Sequence, residues 1–176
     1  MTTSERVLDL VYDAVVVIGE AKGRVFRPGK LPTQQDAYPQ IKVQLAGESR
    51  QSLGRGSVQF TTTATIRVTA EVSAPVKAAD PQSSEVELQL WAMKRQIELA
   101  VIGSYPLFRE IQQLASVQAQ LAYDAQATML GGVQIDLAFE FYEGPEDFAP
   151  LDAVELVGVD AHLPAAGPGF SARLGF

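Results

Sequence analysis

The only imidazole in this 176-residue chain is His162, set in a stretch rich in Pro and Gly. Nucleophilic hydrolysis needs a base beside the nucleophile, so a catalytic triad is not expected and His162 reads as an exposed histidine. Cysteine is absent, which excludes disulfides, thiolate metal sites, iron–sulfur clusters and a cysteine nucleophile. Carboxylates gather at Glu140, Glu143, Glu146, Asp147 and Asp152, a grouping that a Ca²⁺ site or a glycosidase pair would require. Their spacing matches no ligand loop, and a solvated acidic face is the expectation. Gly54-Arg55-Gly56 lacks the third glycine and the strand-to-helix setting of a dinucleotide loop, and there is no P-loop string. Trp91, with Tyr105 and Phe108 nearby in sequence, has the composition of a cation cage. A packed junction between helix and sheet is the expected role for these three. The residues thus point to no enzyme, no metal and no cofactor.

Charge is distributed unevenly along the chain, whose net charge is −7. Residues 1–80 hold ten Lys/Arg against eight Asp/Glu, whereas 81–176 hold four against thirteen. Seven of the basic residues fall between Lys22 and Arg55, and the stretch from Glu110 to Ala172 has ten acids and no Lys or Arg. An acidic whole argues against a dedicated nucleic-acid binder, which usually presents a basic face. The longest apolar run, Ala14 to Ile18, is far short of the ~20 residues of a membrane span, and no signal pattern follows Met1. A soluble, unprocessed chain with no membrane partner is expected.

The elements follow from periodicity. Val7, Leu10, Val11, Ala14, Val17, Ile18 and Ala21 form a helical stripe, which predicts a helix over 4–20 with Thr2 and Glu5 as its capping box. Arg24-Val25-Phe26 predicts a short strand. Gln40 to Leu45 alternates as a half-buried strand, and Ala46 to Gly56 reads as a hairpin tip. The alternation from Val58 to Val72 predicts an unusually long strand that runs past the body of the domain. Ser84 and Glu87 predict the start of a second helix, with Val86, Leu90, Met93, Ile97 and Val101 as its stripe up to Gly103. Residues 115–123 and 133–142 alternate as two more strands, with Asp124 to Gly132 as the intervening turn, punctuated by Gly131-Gly132. The order predicts an α+β fold: an antiparallel sheet with a long β-hairpin and two helices packed on one face. Residues 1–143 are expected to form that domain and 144–176 a C-terminal arm rich in Pro and Gly, with a strand-like stretch at 154–159.

These strings, in this order, resemble the tail terminator (tail completion, or minor tail) proteins of long-tailed bacteriophages. The likeness covers residues 5 to about 150. It is carried by Arg24-Val25-Phe26, Tyr38-Pro39-Gln40-Ile41-Lys42-Val43, Gly47-Glu48-Ser49, the helix ending Glu98-Leu99-Ala100-Val101-Ile102-Gly103, and Ala138-Phe139-Glu140-Phe141-Tyr142-Glu143. The resemblance implies a non-enzymatic virion protein: a homohexameric ring, assembled in the host cytoplasm, at the head-proximal end of the tail. Such a ring caps the tail tube, ends its polymerisation and offers the surface where the head docks. The implied partners are further copies of the chain, the tail tube protein and a head-completion or neck protein, while DNA passes through the lumen without specific binding.

The charge pattern supplies a reason for ring formation, since complementary patches on one chain favour head-to-tail contacts. The candidate subunit-interface residues are Arg24, Arg27, Lys30, Arg50, Arg55, Val58, Phe60, Glu143, Glu146, Asp147, Phe170 and Phe176. An acidic channel wall is also expected, because it would repel phosphates. Two alternatives stay open: another phage neck component, such as a head-completion or head–tail joining protein, and a small cytosolic ligand- or metal-binding domain or enzyme using the carboxylates from Glu140 to Asp147.

Overall fold

A computed structural model of the chain describes residues 2–21, 23–27, 38–56, 58–75, 82–125, 128–148, 159–162 and 171–174. The fold is α+β. Five strands, β1 (Val25–Phe26), β2 (Gln40–Ser52), β3 (Phe60–Pro75), β4 (Gln113–Ala125) and β5 (Thr128–Glu143), form one sheet in the order β1-β2-β3-β5-β4. All neighbours are antiparallel except β1 and β2, so the sheet is mixed, not purely antiparallel. Strands β6 (Val159–His162) and β7 (Ser171–Leu174) pair separately, placing His162 opposite Ser171. Of the expected strand at 154–159, Val159 lies in β6, and residues 154–158 lie outside the described residues.

Helix α1 (Ser4–Val16) is shorter than its stripe predicts. The β-branched run from Val15 weakens helix propensity, and the chain passes into a 3-10 turn at Gly19–Ala21. Gly23 then takes φ +74, a left-handed conformation that glycine adopts without cost, and the chain reverses into β1. The N-cap is Thr3, whose hydroxyl accepts from Arg6 N at 3.1 Å. Thr2, expected in that role, instead donates to the Glu110 carbonyl at 3.0 Å.

Helix α2 (Gln82–Ile102) starts two residues before the predicted capping box, which puts Ser84 inside its first turn. The segment after Gly103 is a third, short helix, α3 (Tyr105–Glu110), with Pro106 in its first turn, where the missing N–H costs no hydrogen bond.

One face of the sheet carries Ile41 and Val43 of β2, Ala64, Ile66, Val68 and Ala70 of β3, and Val133, Ile135, Leu137, Phe139 and Phe141 of β5, all buried. Val7, Val11 and Val15 of α1 and Val86, Leu90, Ile97 and Val101 of α2 close over it in a single core. Both long helices thus lie on the same face, as the patterning predicts. The opposite face has no covering element among the described residues.

Two strands depart from their predicted limits. β2 continues to Ser52 through a bulge between Leu45 and Gly47, so the hairpin loop occupies only 53–59, closed by Leu53 N donating to Gln59 O at 3.0 Å. Gly131 and Gly132 lie within β5, opposite Tyr123 and Ala122 of β4, and Asp124 and Ala125 pair with Leu130 and Met129. All but residues 126–127 of the expected turn at Asp124 to Gly132 is therefore strand, and those two lie outside the described residues.

Candidate functional site

Three features of the surface stand out, and each arises from local sequence. The first is a charged cluster at the end of the core where the β2–β3 hairpin begins. Side chains of directly paired residues share a sheet face. Before the bulge, Ile41 and Val43 pair with Ala70 and Val68 and point into the core; after it, Glu48 pairs with Ala64 and Arg50 with Thr62. One extra residue therefore moves Glu48 and Arg50 to the helix side, where a strict alternation would have put Ser49 and Gln51.

There Arg50 Nε donates to Glu143 Oε2 at 2.8 Å, Arg50 Nη2 lies 2.9 Å from Glu48, and Thr62 donates to Glu143. Ser4, at the start of α1, donates to Glu48. Glu143 is only 3% exposed. Burial pushes its carboxyl pKa up, but the hydrogen bonds from Arg50 and Thr62 and the Arg50 charge outweigh this and hold it below its ordinary 4.5. On the uncovered sheet face, the fork of Arg67 on Asp136, at 2.8 and 2.9 Å, likewise lowers the Asp136 carboxyl.

A carboxyl depressed in the folded state is protonated there only at lower pH than in the unfolded chain. Its stabilisation is complete above the unfolded value and disappears as pH falls through the folded one. Glu143→Gln is expected to cost about 1 kcal/mol at pH 7, since Thr62 keeps an acceptor and Arg50 is open enough to be hydrated. It should also make stability fall less steeply below pH 4.5. Urea midpoints between pH 7 and pH 3 check both parts.

The second feature is the outer side of α2. Leu88, Trp91, Leu99 and Ile102 are between 46% and 68% exposed. At about 100° per residue they fall half a turn from Val86, Leu90, Ile97 and Val101, so this helix has a second apolar stripe on its outer side, interrupted by the exposed Arg95. Tyr105 and Phe108 of α3 are exposed as well. The expectation that Trp91, Tyr105 and Phe108 pack into the junction of helix and sheet is thus corrected. Lys94 lies over Trp91 and Arg109 over Tyr105, each at helical spacing on its own helix.

The third feature is the sheet face that no helix covers, with Thr63, Thr65, Thr69, Gln134 and Gln118 among its side chains. An open depression of about 290 Å³ is lined there by Gln118, Ala119, Gln120, Gln134 and Asp136. Its one ionisable group, Asp136, is held by Arg67.

The predicted interface residues are dispersed over these features. Arg24 donates to the Tyr38 carbonyl, and Arg27 pairs with Asp9 while stacking over Tyr12 at 4.7 Å. Arg55 and Val58 are exposed at the hairpin end. Phe60 does not extend past the body: it is half-buried, its ring edge-on to Phe148 at 5.6 Å. Arg50 and Glu143, expected on complementary patches, meet inside one chain. Asp147 turns back to accept from Gly144 N at 2.8 Å within the 3-10 turn Pro145–Phe148, and Glu146 is exposed. Lys30, Phe170 and Phe176 lie outside the described residues.

The described members of the acidic group, Glu140, Glu143, Glu146 and Asp147, do not converge, and Asp152 lies outside the described residues. Glu140 faces the uncovered side, where Gln113 donates to it, while Glu143 points into the core. Among the described residues no three His, Asp or Glu side chains could hold one metal ion. None of the described helices is long and apolar enough to cross a membrane.

Comparison with known protein families and with curated proteins finds no match. The surfaces themselves are therefore the guide to function. Sequence reasoning missed Ser4 and Thr62, for which no local signal exists. It also missed the outer stripe of α2, whose spacing is legible once the helix is drawn as a wheel.

Proposed function

We propose that this chain is a structural subunit of a phage tail terminator: a non-enzymatic ring, with six copies expected from the resemblance, that caps the tail tube and presents a docking surface to the head. The observation that carries the reading is the second apolar stripe of α2. A monomer satisfies its core with one side of a helix, and exposed apolar rows in a soluble chain mark contacts with other proteins. Tyr105 and Phe108 in α3 are further exposed aromatic side chains. The segregation of basic and acidic segments supports self-association in a fixed register. Within this reading the partners are other copies, the tube protein and a neck protein, with DNA threading the channel past a wall where Asp and Glu outnumber Lys and Arg.

Two measurements test it. Mass determination of the purified chain over a range of concentrations at low salt is expected to give one closed multimer. Electron microscopy of tails assembled without heads is expected to place the protein at the head-proximal end. A chain that stays monomeric both free and beside tubes overturns the proposal, and binding to heads but not to headless tails assigns it to the head side of the neck instead.

A further inference from the structure

We infer that copies of this chain join by continuing the sheet, the outer edge of β4 in one copy pairing antiparallel with the Val43–Ser52 stretch of β2 in the next. The inference rests on the ring reading above for the existence of an assembly and assigns the contact that builds it.

β4 is the last strand of the sheet and is paired only with β5, so half of its backbone N–H and C=O groups point outward. Soluble chains usually protect such an edge by keeping it short, charging it or breaking it with proline. β4 has none of these protections along most of its length. It runs for 13 residues, Gln113–Ala125, with Asp124 as its sole charge and no proline. Its one irregularity, the bulge between Leu114 and Ser116, leaves Ser116 to Ala125 regular. Ala115 to Gln120 are exposed in unbroken succession, because α2 packs over β3 and β5 and stops short of β4. Val117, on the helix side of the sheet, is left 38% exposed.

The opposite edge of the same sheet offers a match. β1 pairs only with Ile41 and Lys42, so among the described residues the outer side of β2 is open from Val43 to Ser52. This stretch has the same span as the regular part of β4 but holds the Leu45/Gly47 bulge, so Gly47 to Ser52 is its regular part. Successive antiparallel pairings make β2 and β4 run in opposite directions within one sheet. A copy displaced sideways in the sheet plane therefore brings its β2 antiparallel to β4 of its neighbour. Two different edges give a head-to-tail contact, the kind that closes into a ring when the rotation per copy permits.

Charge selects this pairing over its rivals. The β1–β2 side carries Arg24, Arg55 and the Asp9-paired Arg27, whereas no Lys or Arg occurs from Glu110 through Phe148, the segment that makes the β4–β5 side. There Arg67 and Arg50 already hold Asp136 and Glu143, so Glu110, Glu140 and Glu146 set its sign. Unlike edges attract, and a two-fold pairing of β4 with β4 brings acidic sides together.

Disulfide trapping tests the contact in the full chain, whose lack of native cysteine makes every cross-link attributable to the introduced residues. Gln120 and Ser49 both belong to the uncovered sheet face. The double variant Gln120→Cys/Ser49→Cys, with Gln120→Cys/Gln51→Cys to allow for register, is expected to oxidise to a ladder that ends at the ring mass, while each single variant stays unlinked. In parallel, Val117→Lys/Ala119→Lys should raise the concentration for half-assembly at least tenfold with the melting temperature of the dissociated chain unchanged. Dimers from Gln120→Cys alone would overturn the inference in favour of a two-fold contact. If wild-type rings form, no double variant links and the lysine variant assembles normally, the edge contact is wrong and the ring stands. If the wild-type chain never assembles, both fall.

Discussion

Phe139→Ala is expected to destabilise the protein by about 4 kcal/mol and to lower its melting temperature by about 10 °C. Phe139 is fully buried and sits on β5, the strand flanked by β3 and β4, with Ala64 on one side and Leu114 on the other. Ala64, paired with it on β3, is too small to fill the space left when the ring is removed. Phe139→Leu, which keeps most of the volume, should cost about 1.5 kcal/mol or less. Thermal and urea unfolding of the two variants check the ratio, and equal losses would show that the ring itself does not fill the core.

The second large effect separates the two sides of α2. Leu90→Asp is expected to prevent folding, because it puts an unpaired carboxylate among Val86, Met93 and Ile97 in a site closed to water. Leu88→Asp, two residues away, should change stability by about 1 kcal/mol or less, the cost of a poorer helix former at an exposed position. Soluble yield and circular dichroism of the pair decide the point: similar damage from both would mean that the outer stripe is structural and not a contact surface. If Leu88→Asp folds but no longer assembles or binds tubes, the outer stripe joins the β4 edge as a working surface.

Much of the fold is legible from periodicity alone, for a definite reason. Alternation from Thr63 to Val72 and from Val133 to Tyr142, and the 3.6-residue stripes of α1 and α2, each report which side of an element must leave water, and burial of that side dominates the energy. The limits were less legible where one residue type serves two structures. Thr2 and Thr3 are equal candidates for a cap, and contact with Glu110 takes Thr2 away. Gly131 and Gly132 have turn composition but lie in a strand, because β3 and β4 pair on both sides of them.

Length, composition and pattern by themselves determined the α+β class, the placement of both helices on one side, and the division into basic and acidic stretches, because these depend on which side chains leave water and on charge, both written in residue type. Only the tertiary structure decided that Arg50 meets Glu143. That contact depends on a single-residue bulge at Leu45/Gly47, and a bulge changes the phase of a strand without any change in its composition. Likewise only the packed molecule shows that α2 ends short of β4, which leaves a strand with the same alternation as its buried neighbours at the edge, with one side of its backbone unpaired.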